Sequence, residues 1–161
     1  MRNPADRRGT IAVLLAATLW LGMLIGVSFI ATPVKFTAPS LSLSVALDVG
    51  RVTFGLFARI EWLTAAALLA SVILARPGWL LLVLTLGLAA IVVVEGSWLL
   101  PTLTARIDAV IAGAPMAPSS HHALYVALEA AKAVCLVAVS AIAAFRAARP
   151  ASDYSNQQVP A

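Results

Sequence analysis

Charge is what this chain has least of. Only 11% of its 161 residues are Asp, Glu, Lys or Arg, against about a quarter in an ordinary soluble domain. Hydrophobic residues make up 61%, and the mean hydropathy is +0.97. That balance puts the chain in the membrane class before any motif is read. Cysteine is nearly missing. Cys135 stands alone, so an intramolecular disulfide is excluded, and its apolar surroundings read as a buried, inert thiol. Histidine is as scarce. His121 and His122 are the only two, and neighbours on a helix point about 100° apart, so they cannot both ligate one haem iron. HxxxH, CxxC and ExxH spacings are missing, as are a Ser-His-Asp set, a phosphate loop and a nucleotide-binding pattern. No catalytic residue and no cofactor is therefore assigned. The imidazole and carboxylate donors admit a divalent metal, on the condition that glutamates from several helices meet. Repeats, heptads and low-complexity tracts are not evident either.

What the sequence does have is four long apolar runs. Residues 9–34 carry no charge inside them. Residues 52–75 contain only Arg59 and Glu61, residues 79–100 only Glu95, and residues 123–145 only Glu129 and Lys132. Each approaches or exceeds the roughly 20 residues that cross a hydrocarbon core. The first run follows Arg7 and Arg8 as a signal peptide would, but apolar signal cores stop near about 15 residues. The reading is an all-α integral membrane protein, an antiparallel four-helix bundle. Its expected parts are an N-terminal segment 1–9, helices over 10–32, 52–75, 79–100 and 121–145, long loops over 33–51 and 101–120, a tight turn at 76–78 and a tail over 146–161. Pro-Gly punctuation sets the turn. Ser119 or Ser120 is expected to cap the last helix, and the polar tail from Pro150 to be disordered.

Basic residues set the expected orientation. Arg2, Arg7, Arg8, Arg76, Arg146 and Arg149 fall on one side, and Lys35, Arg51 and Arg106 on the other. The richer side is expected in the cytoplasm, with both termini inside, the long loops outside and the protein in the inner membrane. The pI of about 10.0 comes from few, scattered residues, which fits lipid-surface anchors and argues against nucleic acid.

The glutamates carry the functional question. Glu61, Glu95 and Glu129 all fall in the apolar runs, while Asp6, Asp48, Asp108 and Asp153 fall outside them. A charge at the bilayer centre costs about 2.5–3.5 kcal/mol on insertion scales. With about 1.5 Å of rise per residue, all the intramembrane charges land in the outer half. His122, Tyr125, Glu129 and Lys132 share one stripe of the fourth helix, and Glu129 and Lys132, three apart, can pair. Two explanations compete. Arg59, Glu61, Glu95, Glu129 and Lys132 sum to one negative charge, so they could pair off simply to fix helix register. Alternatively Glu61, Glu95 and Glu129 converge on one pocket with Arg59 and Lys132 in compensation, and His122 and Tyr125 stand at its mouth. Gly22 and Gly26, a small-xxx-small pair, are expected to mark a close helix approach. Trp62, Trp79 and Trp98 read as packing or interface anchors.

The favoured expectation is a multi-pass protein with an outward-facing polar pocket for a small ligand or cation. The alternatives are a small transporter or efflux component that uses the embedded glutamates, and a subunit or assembly factor. In the last case the charges would meet a membrane partner or a second copy.

The order of "LWLGMLIGVSFIATPVKF", "GRVTFGLFARIEW", "EGSWLLPTLTAR" and "HHALYVALEAAK" resembles the transmembrane protein 205-like group, a bacterial four-helix membrane domain of unknown function. The likeness covers roughly residues 18–140. It rests on Trp20, Gly22, Pro33 and Phe36, the Gly50-Arg51 pair and Leu100-Pro101, with Lys35 departing from the apolar residue expected there. The resemblance implies a four-helix integral membrane architecture and no established reaction.

Overall fold

The computed structural model describes residues 4–76, 78–115 and 118–148, all of whose regular structure is helical. Helix α1 (Pro4–Leu24) continues through a π-helical stretch, Ile25–Ala31, into the short α2 (Thr32–Lys35). After a loop comes α3 (Leu43–Ala75). Helix α4 (Trp79–Val94) continues through a second π-helical stretch, Glu95–Leu99, into α5 (Leu100–Ile111), and α6 (His121–Ala148) ends the described chain. Four rods result, Arg7–Lys35, Leu43–Ala75, Trp79–Ile111 and His121–Ala148, each long and apolar enough to cross a membrane. They are called the first to fourth spans below.

Buried residues recur every three or four positions along each rod. On the first span they are Val13, Ala17, Trp20 and Leu24, and on the fourth Tyr125, Glu129, Lys132, Leu136, Val139 and Ala143. The third repeats the rhythm at Leu81, Thr85, Leu88, Val92, Glu95 and Leu99. This is the spacing that lets helices mesh side by side. Helix α1 packs on α3 and α6, α3 on α4, and α4 on α6, which closes a ring around one core. The exterior is apolar as well. Leu63, Leu74, Trp79 and Phe145 are 72%, 83%, 75% and 75% exposed, a surface suited to lipid rather than water.

Two prolines explain the π-helical stretches. Proline has no N–H, so Pro33 and Pro101 cannot serve the carbonyls of Phe29 and Ser97 four residues back. Both carbonyls lie inside the stretches. There the Thr32 N–H reaches Val27 O and the Leu100 N–H reaches Glu95 O, each five residues back. The Thr32 hydroxyl also donates to Val27 O, at 2.8 Å. Widened turns of this kind carry an extra residue and re-aim the side chains beyond them.

Several expected boundaries change. The loop expected over 33–51 is confined to a short stretch before Leu43, because Ser42 caps α3 by accepting from the Val45 N–H. The loop expected over 101–120 is helical as far as Ile111. Pro101 sits in the first turn of α5, where a missing N–H costs little. Asp48 and Asp108 therefore lie in helices, and Arg51, ion-paired to both, ties α3 to α5. The first, second and fourth helices also run beyond 10–32, 52–75 and 121–145. At the other end Arg76, in the left-handed region, caps α3, and Gly78 precedes α4 at φ 109°. Arg2, Pro77, residues 116–117, Arg149 and the tail from Pro150 lie outside the described residues.

The expected approach at Gly22 and Gly26 is not seen within the chain. A side-chain carbon added at either would meet nothing, because both point away from the neighbouring rods. Close approach occurs at Gly9, where an added carbon would lie 2.7 Å from Ala75 Cβ, and at Gly96, 2.9 Å from Trp62 Nε1.

Candidate functional site: a buried charge cluster beneath a cavity

Lys132 and the three glutamates come together at the centre of the molecule. Lys132 Nζ lies 2.6 Å from Glu61 Oε1, 2.6 Å from Glu95 Oε2 and 2.8 Å from Glu129 Oε1. The four residues are between 0 and 3% exposed. Each glutamate comes from a different span or turn. Glu61 sits mid-way along α3, Glu95 opens the π-helical stretch of the third span, and Glu129 lies one turn before Lys132 on α6. The carboxylate oxygens lie within 4.8 Å of one another, and the ammonium occupies the space between them. A metal ion would therefore have to displace Nζ.

The first span, which has no charge of its own in the apolar run, supplies two more donors. Trp20, fully buried, donates from Nε1 to Glu61 Oε1 at 3.1 Å. Ser28, inside the π-helical stretch, donates to Glu129 Oε2 at 2.8 Å. A tryptophan in the middle of a span needs a partner for its indole N–H, which is the signal by which Trp20 could have been singled out. Ser28 left no comparable signal, since a lone serine in a span can bond its own helix.

Acidic and basic groups are not matched in number. Three glutamates face one lysine, and Arg59, expected from the sequence to help compensate them, is not among the contacts of the cluster. Arg59 is exposed, because two residues from Glu61 is about 200° round the helix, and it takes no part in the cluster. Two carboxylate oxygens, Glu95 Oε1 and Glu129 Oε1, are buried without a hydrogen-bond donor among the described residues. Glu129 Oε1 nevertheless lies 2.8 Å from Nζ, as a close ion pair.

One side of the cluster opens into a cavity of about 840 Å³. Glu129 and Ser28 form its floor; Phe29, Phe36, Phe54 and Tyr125 line its wall, with Leu43, Leu47 and Leu103; His122, Ser119 and Arg106 stand at the far end. Tyr125 is 5% exposed and meets Phe54 edge-on at a centroid distance of 5.3 Å. Lys35 lies over the rings of Phe36 and Phe54, at 5.0 and 6.0 Å, close enough that a side chain on Gly50 would collide with it. The helical extensions beyond the expected bounds, residues 43–51 and 101–111, build much of this cavity. His121 faces Trp98 and has its Nδ1 2.7 Å from Ser119 Oγ, which also accepts from the His121 N–H at the start of α6.

Comparison with family models, with curated proteins and with solved structures finds no match to this chain.

Proposed function

We propose that the chain is an integral membrane protein whose four spans form an antiparallel bundle, and that it binds a small ligand or ion in the cavity above the charge cluster. The observation that carries this reading is the junction of the two. Small-molecule sites are concave, mostly apolar and about 300–1,000 Å³, with a few convergent polar groups, and this cavity has that size and a floor made by Glu129. A network that served only to set helix register would gain nothing from a cavity at its edge.

The excess of arginine near Arg7, Arg8, Arg76 and Arg146 supports cytoplasmic ends and a cavity facing outward across an inner membrane. The second and third spans are 33 residues each, about 50 Å of helix against a hydrocarbon core of about 30 Å. Their outer ends therefore rise into the headgroup region, where the cavity opens. Cysteine labelling tests the orientation. Ala114 should react from outside and Arg76, as cysteine, from inside; the reverse pattern would sink the outward-facing site. Membership of the transmembrane protein 205-like group stays part of this proposal.

A second reading, transport, is favoured by the charge excess. Three glutamates against one lysine leave an acidic excess that can take up and release a proton, or a cation that displaces the ammonium. Substrate-driven flux in proteoliposomes would support it, and binding without flux would leave the protein a binding module.

A further inference from the structure

Resting on the ligand-pocket reading above, we propose that the cavity takes an amphiphilic amine: a protonated ammonium head seated against Glu129, with an apolar, partly aromatic body filling the space above it.

The electrical asymmetry of the cavity decides the sign of the head. Its floor is the edge of a cluster that holds three carboxylates and one ammonium. Glu129 is the member that lines the cavity, and its Oε1 lies 2.8 Å from the Lys132 ammonium. Its other oxygen is held by Ser28, which also lines the cavity. An ammonium there adds a second cation to a cluster in which one lysine is shared by three glutamates. A carboxylate there would add a fourth anion to a dry site.

The far end does not invert this preference. Arg106 lies eleven residues along the third span from Glu95, about 16 Å by helical rise, and it already has an interaction partner. An anionic amphiphile anchored there would point its apolar tail at the cluster and leave that charge uncovered. The wall supplies the rest of the specificity. Four aromatic rings, Phe29, Phe36, Phe54 and Tyr125, line the cavity; Lys35 already lies over Phe36 and Phe54, which leaves Phe29 and Tyr125 to meet a cation or an apolar body.

The test uses three probes of one carbon skeleton, phenylhexylamine, phenylhexanol and phenylhexanoate, titrated by calorimetry into the full chain in detergent micelles, with empty micelles as reference. A desolvated, charge-assisted hydrogen bond should favour the amine over the alcohol by about ten- to hundred-fold, with the carboxylate weakest. Glu129→Gln should abolish that preference while leaving the alcohol's affinity. Leu103→Trp, which narrows the cavity without touching the cluster, should weaken amine and alcohol together, and it stays informative if Glu129→Gln fails to fold. Equal binding of amine, alcohol and carboxylate overturns the amine proposal and leaves the pocket standing. Amine binding unaffected by Leu103→Trp overturns it too. Saturable binding of none of the three overturns both this proposal and the pocket reading.

Discussion

The Lys132 ammonium lies 2.6 Å from Glu95 Oε2, a contact that joins the fourth span to the third at a point where neither side chain is more than 2% exposed. With Glu61 it forms a second contact of the same length, so one lysine holds three spans together. Its removal should be the most damaging single change in the cluster. Lys132→Met leaves three carboxylates crowded without a counter-charge, and breaking a buried ion pair from one side costs about 3–5 kcal/mol. Glu95→Gln should cost less, because two carboxylates still face the ammonium. The double variant Glu129→Gln/Lys132→Met should be more stable than Lys132→Met alone. Thermal unfolding in detergent of these three and of Glu129→Gln completes the cycle, and strictly additive losses would rule out the coupling.

The same geometry predicts a metal site that can be uncovered. In the native chain the ammonium fills the space between the carboxylates, so no divalent ion should bind there. Lys132→Ala empties that space and leaves three glutamates whose oxygens lie within 4.8 Å, an all-oxygen set of the kind that takes Mn²⁺ or Ca²⁺. Manganese should bind Lys132→Ala with one ion per chain, seen by electron paramagnetic resonance, and should restore part of the lost stability. Equal manganese binding by the native protein would show that the ammonium does not hold the site.

How far the sequence disclosed this arrangement can be judged residue by residue. The four spans were legible because length and hydropathy alone define them. Glu61, Glu95, Glu129 and Lys132 stood out because charge in an apolar run is costly and so conspicuous. Their rotation was less legible. The outer side of these helices is as apolar as the inner, so the three-and-four spacing of Leu81, Leu88 and Val92 is masked by Leu82, Val83 and Val93, which are exposed. Arg59 falls outside the cluster for a different reason: two residues from Glu61 is about 200° round the helix, which leaves it exposed. The ends of the second and third spans were misread because polar residues such as Asp48, Arg51 and Asp108 look like loop composition, although they pair across α3 and α5 once those helices form. The π-helical stretches left only the prolines as a trace, and a proline alone does not say whether a helix stops or widens.

The glycines separate packing from pattern. Gly9→Ala would drive a carbon to within 2.7 Å of Ala75 Cβ, and overpacking of that sort costs about 1–3 kcal/mol. Gly22→Ala meets open space and exchanges a poor helix former for a good one, so stability should hold or rise slightly. Thermal unfolding of the two variants in detergent should therefore move in different directions. A loss at Gly22→Ala matching that at Gly9→Ala would mean that Gly22 contacts a second chain.

Trp20 offers a test of the buried network that does not depend on removing a charge. Its indole donates to the same Glu61 oxygen that receives a hydrogen from Lys132. Phenylalanine keeps most of the ring's volume and removes the donor, so Trp20→Phe isolates the hydrogen bond. A bond to an ionised group buried away from water contributes about 1.5–3 kcal/mol, and a loss in that range is expected on thermal unfolding. The variant also carries an optical signature. Trp20 is fully buried, whereas Trp62, Trp79 and Trp98 are 47%, 75% and 48% exposed on the apolar exterior. In vesicles containing brominated lipid, the three exposed tryptophans should be quenched and Trp20 shielded. Replacing Trp20 should therefore raise the quenched fraction of the remaining fluorescence. If that fraction stays constant, Trp20 faces lipid, the indole cannot reach Glu61, and the first span must be rotated away from the charge cluster.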